Sequence, residues 1–338
     1  MDRRPAAEVL PTHTPDLFEA AVRRVTGLLA AGEAVALPTE TVYGLAANAL
    51  DARAVERIFQ IKGRPAHNPI IVHVADFEMA RRCVAGWPPL AQKLARAFWP
   101  GPLTLVLPRA KEIPDIVTAG GSTVGVRWPS HPVMQAVIRA CGFPLAAPSA
   151  NPSNRLSPTT AEHVRRHLGH EIPLIVDGGP CQVGIESTVL DLSVSPPRVL
   201  RPGMIHEQAL LAVTGSLARA DGPASPRLKS PGLLPKHYSP RARLVLAAWR
   251  GAEDLEAQAS AFGVPRPAIH ILAHTRLPPA AGFGGACMLP RDPQAFARAI
   301  YAALHDCDAA GAQVIVVEAP PELPEWRPIA DRLKRAAS

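Results

Sequence analysis

Cysteine is scarce in this chain of 338 residues: only Cys83, Cys141, Cys181, Cys287 and Cys307 occur. No two stand in a C-x-x-C spacing and the number is odd, so neither a zinc site nor a disulfide framework is suggested. No apolar run reaches membrane-spanning length, and the opening MDRRPAAEVLPTHTPD has no apolar core of signal-peptide size. A reducing, cytoplasmic location is therefore expected. Aromatic residues make up 5%, a thin supply of stacking platforms for single-stranded nucleic acid.

Hydrophobic residues make up 47% and charged ones 19%, which describes a globular chain long enough for two domains. The formal net charge is +7, and its distribution says more than its total. Residues 1–218 carry 21 basic and 18 acidic side chains, residues 219–243 six and one, and residues 244–338 nine and ten. The stretch RADGPASPRLKSPGLLPKHYSPRA, rich in Pro, Gly, Ser and basic groups, reads as a linker. The expected organisation is a catalytic domain over 1–218, a linker or lid over 219–243, and a smaller α/β domain over 244–338.

Strand-like and helix-like segments alternate throughout, which argues for an α/β class. Thr14 as N-cap, Pro15 at the first helical position and Phe18, Val22, Val25 and Leu29 on one face predict a first helix, stopped at Gly32. AVAL (34–37) reads as a short buried strand, and Ala54 to Lys62 as a helix ended by Gly63. IIVHV, LTLVL, TVGVRW, PLIVDGG, STVLDL and RVLRPG read as strands. Some of the links between them are of turn size, so a twisted mixed sheet flanked by helices is expected. In the last hundred residues RLVLAA, AIHILAH and VIVVEA alternate with helical stretches at 252–261, 292–305 and 325–337. That is a Rossmann-like pattern.

Lys62 and Arg64 flank Gly63 at a predicted helix end, where a point charge and a planar fork could converge on one anion. Taken alone, they read first as a solvated helix terminus favoured by the macrodipole. Thr39, Glu40, Thr41 and Tyr43 follow a buried strand, a common place for ligands, although turn chemistry explains each threonine singly. Ser149, Asn151 and Ser157 lie in a hydroxyl-rich loop before a helix, and Asn68 and His73 flank the Lys62 loop. Arg127 lies in an otherwise apolar strand and must find an anionic partner, in the protein or in a ligand; Arg201 poses the same problem. These stretches contain no paired carboxylates and no His, Cys or Ser nucleophile signature. Their chemistry suits a polyanion, nucleotide-like, beside hydroxyl and amide groups.

PTETVYGLAANA, KGRPAHNPIIVHV, WPGPLTLVL, TVGVRWPSHP, PLAAPSAN, GIESTVLDL and VLRPG occur in the order seen in YrdC-type proteins. The chain resembles the threonylcarbamoyl-AMP synthases, and SPGLLPKHYSP plus the C-terminal unit resemble their longer, two-domain form. The resemblance implies an enzyme that joins L-threonine, bicarbonate and ATP into threonylcarbamoyl-AMP and releases pyrophosphate. The product would serve threonylcarbamoyladenosine formation beside the anticodon of tRNA, after hand-over to the transfer machinery, without stable tRNA binding or a membrane. It further implies catalytic roles for Lys62 and Arg64. Thr41, His73, Arg127, Ala147 and Ser187 would hold L-threonine. Arg64, Asn68, Thr123, Ser149, Asn151, Ser157, Arg201 and His237 would hold ATP. Mg²⁺ would arrive with ATP rather than be held by a protein motif, and the sequence offers no obvious general base.

Two other classes stay in view. A tRNA- or RNA-binding protein would need a larger positive excess and interleaved aromatics. A carbamoyl-transfer enzyme of hydrogenase maturation would carry cysteine-rich zinc fingers and an acylphosphatase-like unit as well.

Overall fold

The computed structural model describes residues 5–218, 229–232, 238–277 and 282–337. The chain forms two compact units, residues 1–153 with 158–233, and residues 154–157 with 234–338.

The first unit is built on a ten-stranded mixed sheet. Its elements run β1 (Glu8–Pro11), α1 (Pro15–Ala30), β2 (Val35–Leu37), β3 (Gly44–Asn48), α2 (Ala52–Lys62), β4 (Val72–His73), α3 (Phe77–Arg82) and α4 (Pro89–Phe98). They continue with β5 (Leu103–Pro108), β6 (Thr123–Arg127), α5 (Pro132–Cys141), β7 (Leu145–Ala146), α6 (Ala161–Leu168), β8 (Leu174–Asp177), β9 (Thr188–Asp191), β10 (Arg198–Arg201) and α7 (Glu207–Thr214). The strand order is β1-β8-β2-β3-β7-β4-β6-β5-β9-β10.

Helix α1 begins as its sequence dictates: the Thr14 side chain accepts from the Leu17 amide, and Pro15 opens the first turn. Ala21, Val25 and Leu29 are buried, with Phe18 and Val22 half-buried against the same core. The expected mixed sheet is present, with three additions. Glu8–Pro11 forms β1, parallel to β8. GLAAN forms β3, antiparallel to β2, and Leu145–Ala146 forms β7 between β3 and β4. Glycine and alanine have weak strand propensity, so these segments gain their form from their neighbours. The expected strand 70–74 contracts to Val72–His73; the Ile70 amide instead donates to Val117 O, and Ile71 O accepts from the Ala147 amide.

The second unit contains β11 (Arg243–Ala247), α8 (Ala252–Ser260), β12 (Ile269–Ala273), β13 (Gly285–Met288), α9 (Pro293–Ala309), β14 (Val314–Glu318) and α10 (Arg327–Ala336). Its sheet is parallel, in the order β11-β14-β12-β13, with β13 the strand that the sequence pattern did not announce. Tyr238 is buried in this unit at φ 62°, its ring 6.2 Å from that of Tyr301 and 5.4 Å from the Arg332 guanidinium. Among the described residues no helix is long and apolar enough to cross a membrane.

Candidate active site

Helix α2 delivers Lys62 on its last turn, and Gly63 turns the chain away in the left-handed conformation, at φ 57°. Neither Lys62 nor Arg64 is a solvated helix end: they are 3% and 8% exposed. The Lys62 ammonium donates to the backbone carbonyls of Ser149 and Asn151, each at 2.5 Å, and lies 3.5 Å from Asn151 Oδ1. Burial, followed by the Arg64 charge, holds its pKa well below the ordinary lysine range. Arg64 curls back on its own loop, with Nε on Asn68 O at 3.1 Å and Nη2 on Pro69 O at 2.7 Å. Asn68 is fully buried, yet among the described residues neither end of its amide has a hydrogen-bond partner.

A second group forms around Arg127 at the end of β6. Its Nη1 donates to Thr41 Oγ1 at 2.9 Å and its Nε to Gly101 O at 3.3 Å; Nη2 lies 2.7 Å from Glu40 Oε1. The buried Arg127 requires an anion, in the protein or in a ligand, and within the protein the Glu40 carboxylate supplies one. Thr39 performs turn chemistry: its Oγ1 donates to Val42 O and accepts from the Thr41 amide, which fixes the Thr-Glu-Thr turn. His73 pairs in register with Arg127 across β4 and β6. Burial, then the Arg127 charge, pushes His73 down to about 3, so it is a neutral imidazole. Its Nδ1 has no hydrogen-bond partner among the described residues.

Ser187 shares a hydrogen bond with Thr104 Oγ1 at 2.8 Å, and Arg201 donates to it twice, to the carbonyl and the hydroxyl, each at 3.1 Å. Arg201 Nη1 also donates to Pro231 O at 3.3 Å. Beside it Lys229 donates to Asp191 Oδ2 at 3.0 Å and Ser193 Oγ at 2.9 Å.

Backbone contacts tie these groups together. Gly44 bridges Ser149, the Ala150 amide donates to Tyr43 O, and the Thr188 amide donates to Pro102 O beside the Gly101 carbonyl that holds Arg127. The Ala147 amide donates to Ile71 O, so Ala147 lies between the loop of Ser149 and the β4 segment. Thr123 stands at the start of β6, on the same face as Arg127 by the period-two rule and roughly 13 Å away at 3.3 Å per residue. Ser157 lies in the short segment that packs with the second unit, where its carbonyl contacts His305 Nε2 at 3.1 Å. His237 lies outside the described residues. Glu40, Thr104 and Lys229 were not assigned from sequence. For Glu40 the signal existed, because a buried arginine requires a carboxylate and this one follows a buried strand.

The fold defines the class: a YrdC-like mixed α/β unit followed by a small parallel-sheet unit. Residues 27–203 match the family described as "Telomere recombination", which groups Sua5, YciO and YrdC. Residues 204–338 match "Threonylcarbamoyl-AMP synthase, C-terminal domain". The chain belongs to this two-domain, Sua5-type family of threonylcarbamoyl-AMP synthases. It is 45% identical to the threonylcarbamoyl-AMP synthase of Pyrococcus abyssi over 228 residues, 67% of each chain. It is 37% identical to that of Schizosaccharomyces pombe over 346 residues, 90% of this chain and 85% of the other. The crystal structure of P. abyssi Sua5 complexed with L-threonine superposes with a TM-score of 0.87 at 36% identity, covering 98% of each chain.

Proposed function

We propose that this protein is an L-threonylcarbamoyladenylate synthase, using L-threonine, bicarbonate and ATP. The observation that carries this reading is the likeness of both units, over almost the whole chain, to a threonine-bound Sua5 structure. The site's own chemistry supports it. The unpartnered Asn68 amide and His73 Nδ1 are buried polar atoms that a ligand would satisfy.

In this reading the threonine amine adds to CO2 derived from bicarbonate, and water is released. An oxygen of the resulting carbamate attacks the α-phosphorus of ATP, the P–O bond to the β-phosphate breaks, and pyrophosphate leaves. Phosphoryl transfer of this kind depends on positioning and on neutralising charge, which buried cations can supply. Lys62 and Arg64 would face the phosphates, with Asn68, Thr123, Ser149, Asn151, Ser157, Arg201 and His237 around the nucleotide. Thr41, His73, Arg127, Ala147 and Ser187 would hold threonine, with the neutral His73 imidazole on its hydroxyl. ATP would enter as its Mg²⁺ complex. The product would then pass to an enzyme that transfers the threonylcarbamoyl group to tRNA.

The test is pyrophosphate release by the full chain with threonine, bicarbonate and MgATP, omitting each in turn. Release should require all three. Release that proceeds without threonine, or tight tRNA binding with no threonine-dependent ATP consumption, would overturn the reading.

A further inference from the structure

Glu40 is a carboxylate of which the reaction scheme above makes no use. It is 5% exposed and lies beside an arginine that is 4% exposed. Its backbone is clamped, since its carbonyl accepts from the Val183 amide at 2.7 Å and the two threonines around it are bonded to each other at 2.9 Å. The main chain that carries the carboxylate is therefore held in place beside Arg127. Its Oε1 lies 2.7 Å from Nη2, and among the described residues neither carboxylate oxygen has a formal hydrogen-bond donor. The contact is an ion pair rather than an aligned hydrogen bond.

Two consequences follow. First, Glu40, Thr41 and Gly101 approach Arg127 through three different nitrogens and so fix the guanidinium plane. Of its five N–H groups, Nε and one on Nη1 are committed as hydrogen bonds, which leaves donors on both terminal nitrogens. Second, the pair is close to neutral. An incoming carboxylate meets a buried Arg⁺ already balanced by Glu⁻, so an anion alone would leave the pocket with an uncompensated negative charge. A zwitterion brings its own ammonium and leaves the balance unchanged. At a few ångströms in a partly desolvated site, such a charge is worth well over a tenfold change in affinity.

We propose that Glu40 is a positioning and specificity-determining residue: it orients Arg127 for the substrate carboxylate and makes the subsite select an α-amino acid over the corresponding simple carboxylate. This rests on the reading of Arg127 as part of the threonine subsite.

The test compares L-threonine with 3-hydroxybutyrate, which is threonine without its amine. Binding of each is measured calorimetrically to the wild type, E40Q and E40D, alongside threonine-dependent pyrophosphate release. The wild type should favour threonine. E40Q should narrow that preference by about tenfold or more, with 3-hydroxybutyrate binding more tightly in absolute terms while threonine binds less tightly. E40D keeps the charge, so it should keep the preference even if both ligands bind more weakly. An E40Q preference equal to the wild type's, or equal loss of both ligands, would overturn the proposal, because a purely structural role weakens both alike. If E40Q does not fold, loss of the preference in folded E40D overturns it and retention supports it. A wild type that neither binds threonine nor turns it over would instead remove the functional reading, and this inference with it.

Discussion

The Lys62 ammonium lies 2.5 Å from the backbone carbonyl of Asn151, so the Lys-x-Arg and Ser-x-Asn segments, far apart in sequence, form one structure. The lysine holds the Ser149–Asn151 loop in shape from a buried position, with its amino group on two backbone carbonyls. Replacing it with methionine keeps the stem and removes the amino group. Lys62→Met should lower kcat for threonine-dependent pyrophosphate release by roughly 100-fold or more, the cost of losing one preorganised charge contact. An equilibrium unfolding curve taken in parallel separates this from misfolding. A folded variant within threefold of wild-type kcat would show that Lys62 supports only the loop.

Asn68 gives the opposite balance of stability and function. Its buried amide makes no hydrogen bond among the described residues, and a buried unsatisfied polar group costs about 1–3 kcal/mol. Asn68→Leu has a similar volume without that cost. It should leave the urea midpoint unchanged or raised, while the KM for ATP increases about tenfold, on the order of one lost polar contact. A variant that loses stability and keeps its ATP KM would show that the amide is satisfied internally.

What the sequence disclosed, and what it hid, divides along the range of the interactions. Thr14, Pro15 and Gly63 act within one turn of chain: Thr14 and Gly63 cap their helices and Pro15 opens the first turn, as read. Most apolar strands of the first sheet, and three of the four strands of the second, were legible because period-two patterns and buried runs are local signals. Strand β3 was not, since Gly44 to Asn48 gains its extended form from pairing with β2 and β7. For the same reason Lys62 and Arg64, taken alone, resembled a solvated helix end. Lys62 is hydrogen-bonded to the loop at Ser149, 87 residues on, which no local pattern brings near, and Arg64 to the irregular Asn68–Pro69 turn, which has no periodicity to read. Arg127 shows a partial success: burial physics required an anion, and only the fold could decide that Glu40 provides it.

His73 ties stability to pH. Its folded pKa lies near 3, below the ordinary value of about 6.5, because burial and the Arg127 charge disfavour the cation. Between those values the unfolded chain binds a proton that the folded chain refuses, so stability rises with pH across this window and is lost as pH falls through it. The slope from this one group approaches about 1.4 kcal/mol per pH unit near the middle of the range. His163, also lowered by burial, to about 4, works in the same direction. Urea midpoints from pH 7.5 down to 4.5 should fall progressively, and His73→Gln should flatten the curve by its share. An unchanged slope in that variant would mean that His73 titrates normally in the folded protein.

Gly203, in the VLRPG segment, is a packing requirement at the back of the site. A Cβ there would lie 2.4 Å from the Thr188 amide nitrogen, 2.7 Å from Thr188 Oγ1 and 2.8 Å from the Ser187 carbonyl carbon. The Thr188 hydroxyl is already committed, donating to Ile205 O at 3.0 Å and accepting from the Ile205 amide at 3.2 Å. Most of the obstructing atoms are backbone, so the added methyl must push the loop after β10 away from β9. Gly203→Ala should cost about 1–3 kcal/mol of stability, as overpacking does. Because Ser187 is one of the displaced groups, the KM for threonine should rise more than that for ATP. Chemical denaturation and substrate titrations on the same preparation check both parts. A loss within about 0.5 kcal/mol, the ordinary range for a surface substitution, would show that the loop can yield without disturbing Ser187.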